Sequence, residues 1–126
     1  MKSTVEFSIT GAGRKLQEEC FKASFTAGWW PTDAKENPLT FSNKLMLIVS
    51  EVSEAMEADR KNAMDDKLPH RDGREVELAD AVIRIFDLAG AYGFDLGEAI
   101  EEKMAYNLTR NDHKQEARQK VGGKKY

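Results

Sequence analysis

The chain has 126 residues, 40% of them hydrophobic and 33% charged, with a formal net charge of −3. That length suits one domain around one core, and the composition excludes a disordered or low-complexity chain. The mild acidity excludes bulk electrostatic binding to nucleic acid, and no apolar run approaches the roughly 20 residues that a membrane-spanning helix needs.

The N-terminal MKSTVEFSIT has no apolar signal-peptide core. A single cysteine, Cys20, rules out an intrachain disulfide framework and fits a reducing compartment. A cytoplasmic location is the default expectation. Cys20 stands beside Phe21 in a helical pattern, so it reads as a packing residue and not as a nucleophile.

Pro31, Pro38 and Pro69 are the only prolines, and all fall between helical patterns. Residues 9–28 read as a first helix, weakened near Gly11 and Gly13. WWPTDAKENP is a loop rich in turn residues. Residues 39–62 read as a long second helix, and DDKLPHRDG as a second loop. A third helix starts at Asp72, a helix-capping residue with Glu75 three positions on, and stops at Gly93. Asp95, with Glu98 three positions on, caps a fourth helix that runs to about Arg110. Residues 1–110 are thus expected to form a single domain, with residues 111–126 a polar, basic, partly mobile tail belonging to the same domain. No stretch alternates with the period of a strand. The expected fold is all-α, a four-helix bundle.

The second helix raises a question of orientation. With Ile48 at zero and about 100° per residue, Leu45, Val49, Val52, Ala55 and Met56 fall within roughly −20° to 100°. Glu51 falls near roughly −60°, with Lys44 beside it, and Glu54 near roughly −120° at the edge of the apolar arc. Glu57 lies on the opposite, solvated face. The third helix is apolar nearly all round, the pattern of a helix buried in a bundle or at a subunit contact. Its one polar stripe holds Glu77, Asp80, Arg84 and Asp87.

A single Glu-x-x-Glu is ordinary solvated helix surface, and Arg84 can simply pair with Asp80 or Asp87. Two such acidic pairs, each set against its helix's apolar pattern, can instead face each other. Carboxylates gathered in a partly dry site repel and lose hydration, which protonation or a hard cation relieves. An all-oxygen ligand set favours Mg²⁺, Mn²⁺ or Ca²⁺. The spacing of three places both carboxylates of a pair on one helical face.

On the fourth helix, Lys103, Asn107 and Arg110 in KMAYNLTR share one stripe. Acids upstream and bases downstream suit a Mg²⁺–phosphate ligand. The plainer alternative is a solvated helix face with a basic tail. There is no Walker A loop and no G-x-G-x-x-G. Trp29 and Trp30 point in different directions, so one can pack the core while the other stacks on a base. Trp30 and Lys44 join the candidate substrate-binding residues. Neither His70 nor His113 has the Glu-x-x-His spacing of a di-iron bundle, and one cysteine makes a poor structural zinc site.

SEVSE, then ELAD, then KMAYNLTR and a GGKKY end together resemble the MazG-like members of the all-α nucleoside triphosphate pyrophosphohydrolases, from about Trp29 to Tyr126. The resemblance implies that Glu51, Glu54, Glu77 and Asp80 bind Mg²⁺, with Mn²⁺ as an alternative. It implies that Lys103, Asn107 and Arg110 contact phosphates, and that the protein is a homodimer or homotetramer with sites near subunit contacts. The reaction implied is hydrolysis of a nucleoside triphosphate, standard, deoxy or non-canonical, to the monophosphate and pyrophosphate. Glu51 or Glu54 would orient the attacking water or take its proton, and Asp87 is a candidate outer-shell group. One position departs from the pattern: Ser50 stands where many members carry a first glutamate. The expectation from another class is a non-catalytic helical oligomer that binds nucleotide, metal or a partner helix.

Overall fold

The computed structural model describes residues 8–31, 40–110 and 114–126. The remainder of the WWPTDAKENP loop, including Pro38, and His113 lie outside the described residues. Five helices follow in order: α1 (Ile9–Thr26), α2 (Phe41–Lys61), α3 (Gly73–Ala91), α4 (Leu96–Thr109) and the short α5 (Gln115–Gln119). The described residues hold no strand, only an isolated bridge between Met64 and Asp72. The fold is therefore all-α. α5 is an element that the tail's polar composition does not announce. Among the described residues no helix is long and apolar enough to cross a membrane.

Helix boundaries follow local capping chemistry. Thr40 and Asn43 form a reciprocal capping box at the start of α2, and Asn62, in the left-handed conformation at φ 50°, ends it. Asp72 caps α3 by accepting from the Arg74 amide at 2.9 Å. Asp95 caps α4 by accepting from the Glu98 amide at 3.2 Å. Gly93, at φ 68°, supplies the left-handed turn between α3 and α4 that a side chain would oppose.

The chain divides into two compact units, Lys15–Phe94 and Met1–Arg14 with Asp95–Tyr126. In the first, α2 packs along α3. Arg74 binds Asp59 at 3.1 Å while Arg84 binds Glu51 at 2.9 Å. One index rises as the other falls, so the two helices run antiparallel. The connecting loop is pinned by backbone bonds from Asp65 N to Arg71 O and from Gly73 N to Ala63 O, both 3.0 Å. Asp65 is buried, and its Oδ2 accepts from the amides of Lys67 and Leu68. This loop sets the register of α2 against α3, and so decides which carboxylates meet. Phe21 of α1 packs against Gly90, where an added Cβ would collide with the ring.

In the second unit, Gly13 and Gly97 bring the starts of α1 and α4 into backbone contact, since a Cβ on either would clash with the other helix. That contact explains why Gly13 does not interrupt α1: the space it leaves is filled by another helix. Arg14 closes the contact with a fork onto Asp95, at 2.7 Å from Nη2, and holds that carboxyl down to about 2 through its hydrogen bond, with help from the Glu98 amide.

The apolar arc expected to face the core of α2 does not do so. Val52 is 52% and Met56 59% exposed, and Leu45 and Val49 are exposed as well. The packed face instead carries Lys44, Leu47, Ile48, Glu51, Ala55 and Ala58. Its centre is Glu51. The wheel placed the glutamate inward by treating it as part of the larger apolar stripe, whereas that stripe is turned outward. On α3, Leu78, Val82 and Ile85 are exposed too. Both outward stripes have the alternating four- and three-residue steps of a helix–helix seam.

Candidate metal centre

Glu51, Glu77 and Asp80 each bring a carboxylate oxygen within 4.8 Å of the other two. α2 supplies the first and α3 the other two, which are three residues apart on one face. The residue exposure of Glu51 is only 9%. At about 4 Å, two like charges repel by about 4 kcal/mol at an effective dielectric of about 20. Three carboxylates carry three such pairs, and Arg84 relieves only part of the repulsion.

The protons record this imbalance. Burial pushes Glu51 up, but hydrogen bonds with Arg84 and Glu77 and the Arg84 charge outweigh it and hold Glu51 below its ordinary range. Glu77 goes the other way, to about 8, through burial and its hydrogen bonds and repulsion with Glu51 and Glu54. Asp80 is raised by burial and by the Glu51 charge, with Asp65 and Glu54 adding to it. Glu77 Oε2 is buried without a hydrogen-bond partner among the described residues.

The residues fit a hard divalent cation. Opposite oxygens around such an ion are separated by about 4 to 5 Å for metal–oxygen distances of about 2.0–2.6 Å. The donors are all carboxylate, two of them resist ionising unaided, and one buried oxygen lacks a donor. A proton or a cation can satisfy that cluster, and the triad can hold a metal ion.

Glu54 stands apart from the triad. It is exposed, and it interacts with both Glu51 and Glu77. Arg84 pairs with Glu51 at 2.9 Å, not with Asp80 or Asp87 as the shared stripe suggested. The salt bridge crosses between helices because Glu51 occupies the centre of the packed face. Asp87 receives the Trp30 Nε1 hydrogen at 2.7 Å. Lys44 Nζ lies 4.3 Å from the centre of the Trp30 ring, so two of the candidate substrate residues are engaged with each other. Trp29, 72% exposed, lines a groove that Trp30 does not. Ser50 is exposed, and its hydroxyl donates to Leu47 O at 2.6 Å, so it turns away from Glu51 as its place on the wheel requires. Burial first, then Asp87 and Glu19, pushes the Cys20 thiol up, which disfavours the thiolate.

In the other unit, Lys103 Nζ lies 4.7 Å and Arg110 Cζ 6.0 Å from the centre of the Tyr106 ring. Arg110 is the C-cap of α4 with extended backbone. Asn107 Oδ1 is buried without a partner among the described residues. Tyr106 gathers both cations and went unnoticed in the sequence, although its spacing of three from Lys103 and four from Arg110 points to it. Asp65 was missed for a different reason: its burial and its effect on Asp80 arise from a loop conformation with no periodic signal.

No protein-family model, curated protein or solved structure matches this chain.

Proposed function

We propose that the protein is a Mg²⁺-dependent nucleoside triphosphate pyrophosphohydrolase of the MazG-like, all-α bundle type. The observation that carries the reading is the crowded triad of Glu51, Glu77 and Asp80, whose oxygens lie within 4.8 Å of one another while Glu77 keeps its proton up to about 8. Carboxyls perturbed by burial and by specific charged neighbours at a groove are the physical signature of a candidate functional site. Mg²⁺, or Mn²⁺ in its place, supplies Lewis-acid polarisation of the phosphate oxygens and a water of lowered pKa.

The chain's own groups divide the remaining work. Arg84 holds Glu51 ionised and oriented as a ligand through the bond to Oε1. Glu77 releases its proton when it becomes a ligand. Glu54, exposed at the edge of the cluster, takes the proton of the attacking water through its carboxylate. The water oxygen bonds to the α-phosphorus, and the bond from that phosphorus to the bridging oxygen breaks. Pyrophosphate leaves, and the family resemblance makes Lys103, Asn107 and Arg110 the candidate phosphate contacts. None of this requires Ser50 to be acidic.

The outward stripes of α2 and α3 favour a homo-oligomer. Monomers rarely leave apolar patches larger than a few hundred Å² uncovered. Leu45, Val49, Val52 and Met56 on α2, with Leu78, Val82 and Ile85 on α3, are all exposed, and a second copy would cover them in a homodimer or homotetramer.

The test is product analysis. Pure protein is incubated with a panel of ribo- and deoxynucleoside triphosphates and Mg²⁺ in ¹⁸O-labelled water. The reading requires monophosphate and pyrophosphate, with the label in the monophosphate. Diphosphate with orthophosphate would contradict attack at the α-phosphorus, and silence across the panel favours the non-catalytic oligomer that binds nucleotide or metal.

A further inference from the structure

The unit Lys15–Phe94 holds a groove of about 620 Å³. It includes Glu51 and Asp80 of the triad, then continues past Arg84 to Asp87. Asp80 and Asp87 stand on one stripe of α3, about 10 Å apart along the axis at 1.5 Å per residue. That distance separates a phosphate held at the triad from a group lying across a pentose.

The far part of the groove has the chemistry of a base-binding slot. Small side chains at the end of α1, Ala23 and Ser24, with Ala27 just beyond it, leave a shallow wall against which a flat ring can lie. Trp29 borders the same space with its indole largely exposed. Trp30 is committed elsewhere, to Asp87 and Lys44. Asp87 itself is fixed, because Trp30 Nε1 donates to Oδ1 at 2.7 Å. No cation pairs with Asp87 among the described residues. An ionised carboxylate only accepts hydrogen bonds. It therefore welcomes an amino group and repels a carbonyl oxygen placed at the same point.

We propose that this groove binds a nucleobase carrying an exocyclic amine, with Trp29 stacked on the ring and Asp87 accepting from the amine. The inference rests on the nucleotide reading above and narrows it to the amino-bearing bases cytosine, adenine and guanine over uracil and thymine. Stacking on Trp29 acts on every base alike, whereas Asp87 separates them.

Calorimetry on the intact chain in saturating Mg²⁺ tests this without turnover, because monophosphates carry no anhydride bond to cleave. The probes are dCMP, dAMP, dUMP and dTMP. The two amino-bearing nucleotides bind at least about tenfold tighter than the other two. Asp87→Asn brings the ratio close to one, because an amide can turn its donor toward a carbonyl. Trp29→Ala weakens all four together, by roughly tenfold. Trp29 is exposed, so that variant decides the stacking contact even where Asp87→Asn fails to fold. Equal binding of dUMP and dCMP, no binding of any of the four, or an unchanged ratio in Asp87→Asn overturns the proposal. A base preference in binding with no hydrolysis of any triphosphate would remove the enzymatic reading and leave the groove's assignment standing. Hydrolysis indifferent to the base would do the reverse.

Discussion

Arg84 Nε donates to Glu51 Oε1 at 2.9 Å across the antiparallel α2–α3 pair, and this bond is the largest of the contacts that keep the most buried carboxylate of the cluster charged. Removing Arg84 leaves Glu51 beside two acids with no counterion. Its side chain is 43% exposed, so solvent softens the loss. Arg84→Ala should cost about 1–2 kcal/mol of stability in EDTA, read from urea unfolding at neutral pH. Saturating Mg²⁺ should recover part of the loss. An unchanged midpoint in EDTA would show that Arg84 is not what stabilises the charge on Glu51.

The same bond decides the behaviour of two isosteric variants. Glu51→Gln should abolish turnover while the protein folds, yet it should not gain stability, because Arg84 loses its anion. Glu77→Gln should gain stability in EDTA at pH 9, where the native glutamate is forced to ionise. Thermal melts of both variants against the native protein check the contrast. A stabilised Glu51→Gln beside an unaltered Glu77→Gln would reverse the assignment.

Glu77 also sets the pH dependence. Its folded pKa of about 8 lies above the ordinary 4.5, so between those values the folded state holds a proton that the unfolded state has lost. Metal-free stability should therefore fall as pH rises from about 4.5 to 8. The raised Asp80 acts in the same direction from 3.8 upward. Glu51, lowered from 4.5, contributes in the opposite sense, and its stabilisation is lost as pH falls below that value. Binding of Mn²⁺ must displace the Glu77 proton, so affinity should strengthen from pH 6.5 to 8, by up to about tenfold per unit. Calorimetric titrations in two buffers of different ionisation enthalpy would count the released protons. No proton release at pH 7 would contradict the raised pKa.

Much of the fold was legible because helices announce themselves locally. Asp72 and Asp95 are the caps that their sequence neighbourhoods indicate, and Pro31 and Pro69 fall outside the described helices. Spacing on two helices showed that Glu51 can face Glu77 and Asp80, and the family resemblance, not the spacing, implied that they share an ion. What could not be read was which apolar stripe turns inward. Leu45, Val49, Val52 and Met56 form the more continuous stripe of α2, and periodicity alone does not distinguish a core face from an interface. The partner of Arg84 was equally hidden, since the α2–α3 register depends on the Asp65 turn. Trp29 and Trp30 are adjacent, and only packing shows that Trp30 is bound to Asp87 while Trp29 borders the groove.

The outward stripe gives a separate prediction. Val52→Glu places a charge in the seam without touching the triad. It should convert an oligomer to monomer, seen as a lower sedimentation coefficient. A native protein that is already monomeric at micromolar concentration would remove the second copy from the account.

The basic stripe of α4 is tested by Lys103→Ala. The KM for the triphosphate should rise by roughly tenfold or more, while Mn²⁺ affinity measured without nucleotide stays within about twofold of the native value. Equal loss of both would make Lys103 a structural residue.

The central claim is that the Glu51, Glu77 and Asp80 cluster holds the metal that supports pyrophosphate release. The most direct measurement is the rate of pyrophosphate release from a deoxynucleoside triphosphate panel, native protein beside Glu51→Gln, each with Mg²⁺ or with EDTA. The account predicts release from the native protein with Mg²⁺ alone, and background in the other three conditions. Release that survives EDTA, or a Glu51→Gln variant with a near-native rate, would contradict it.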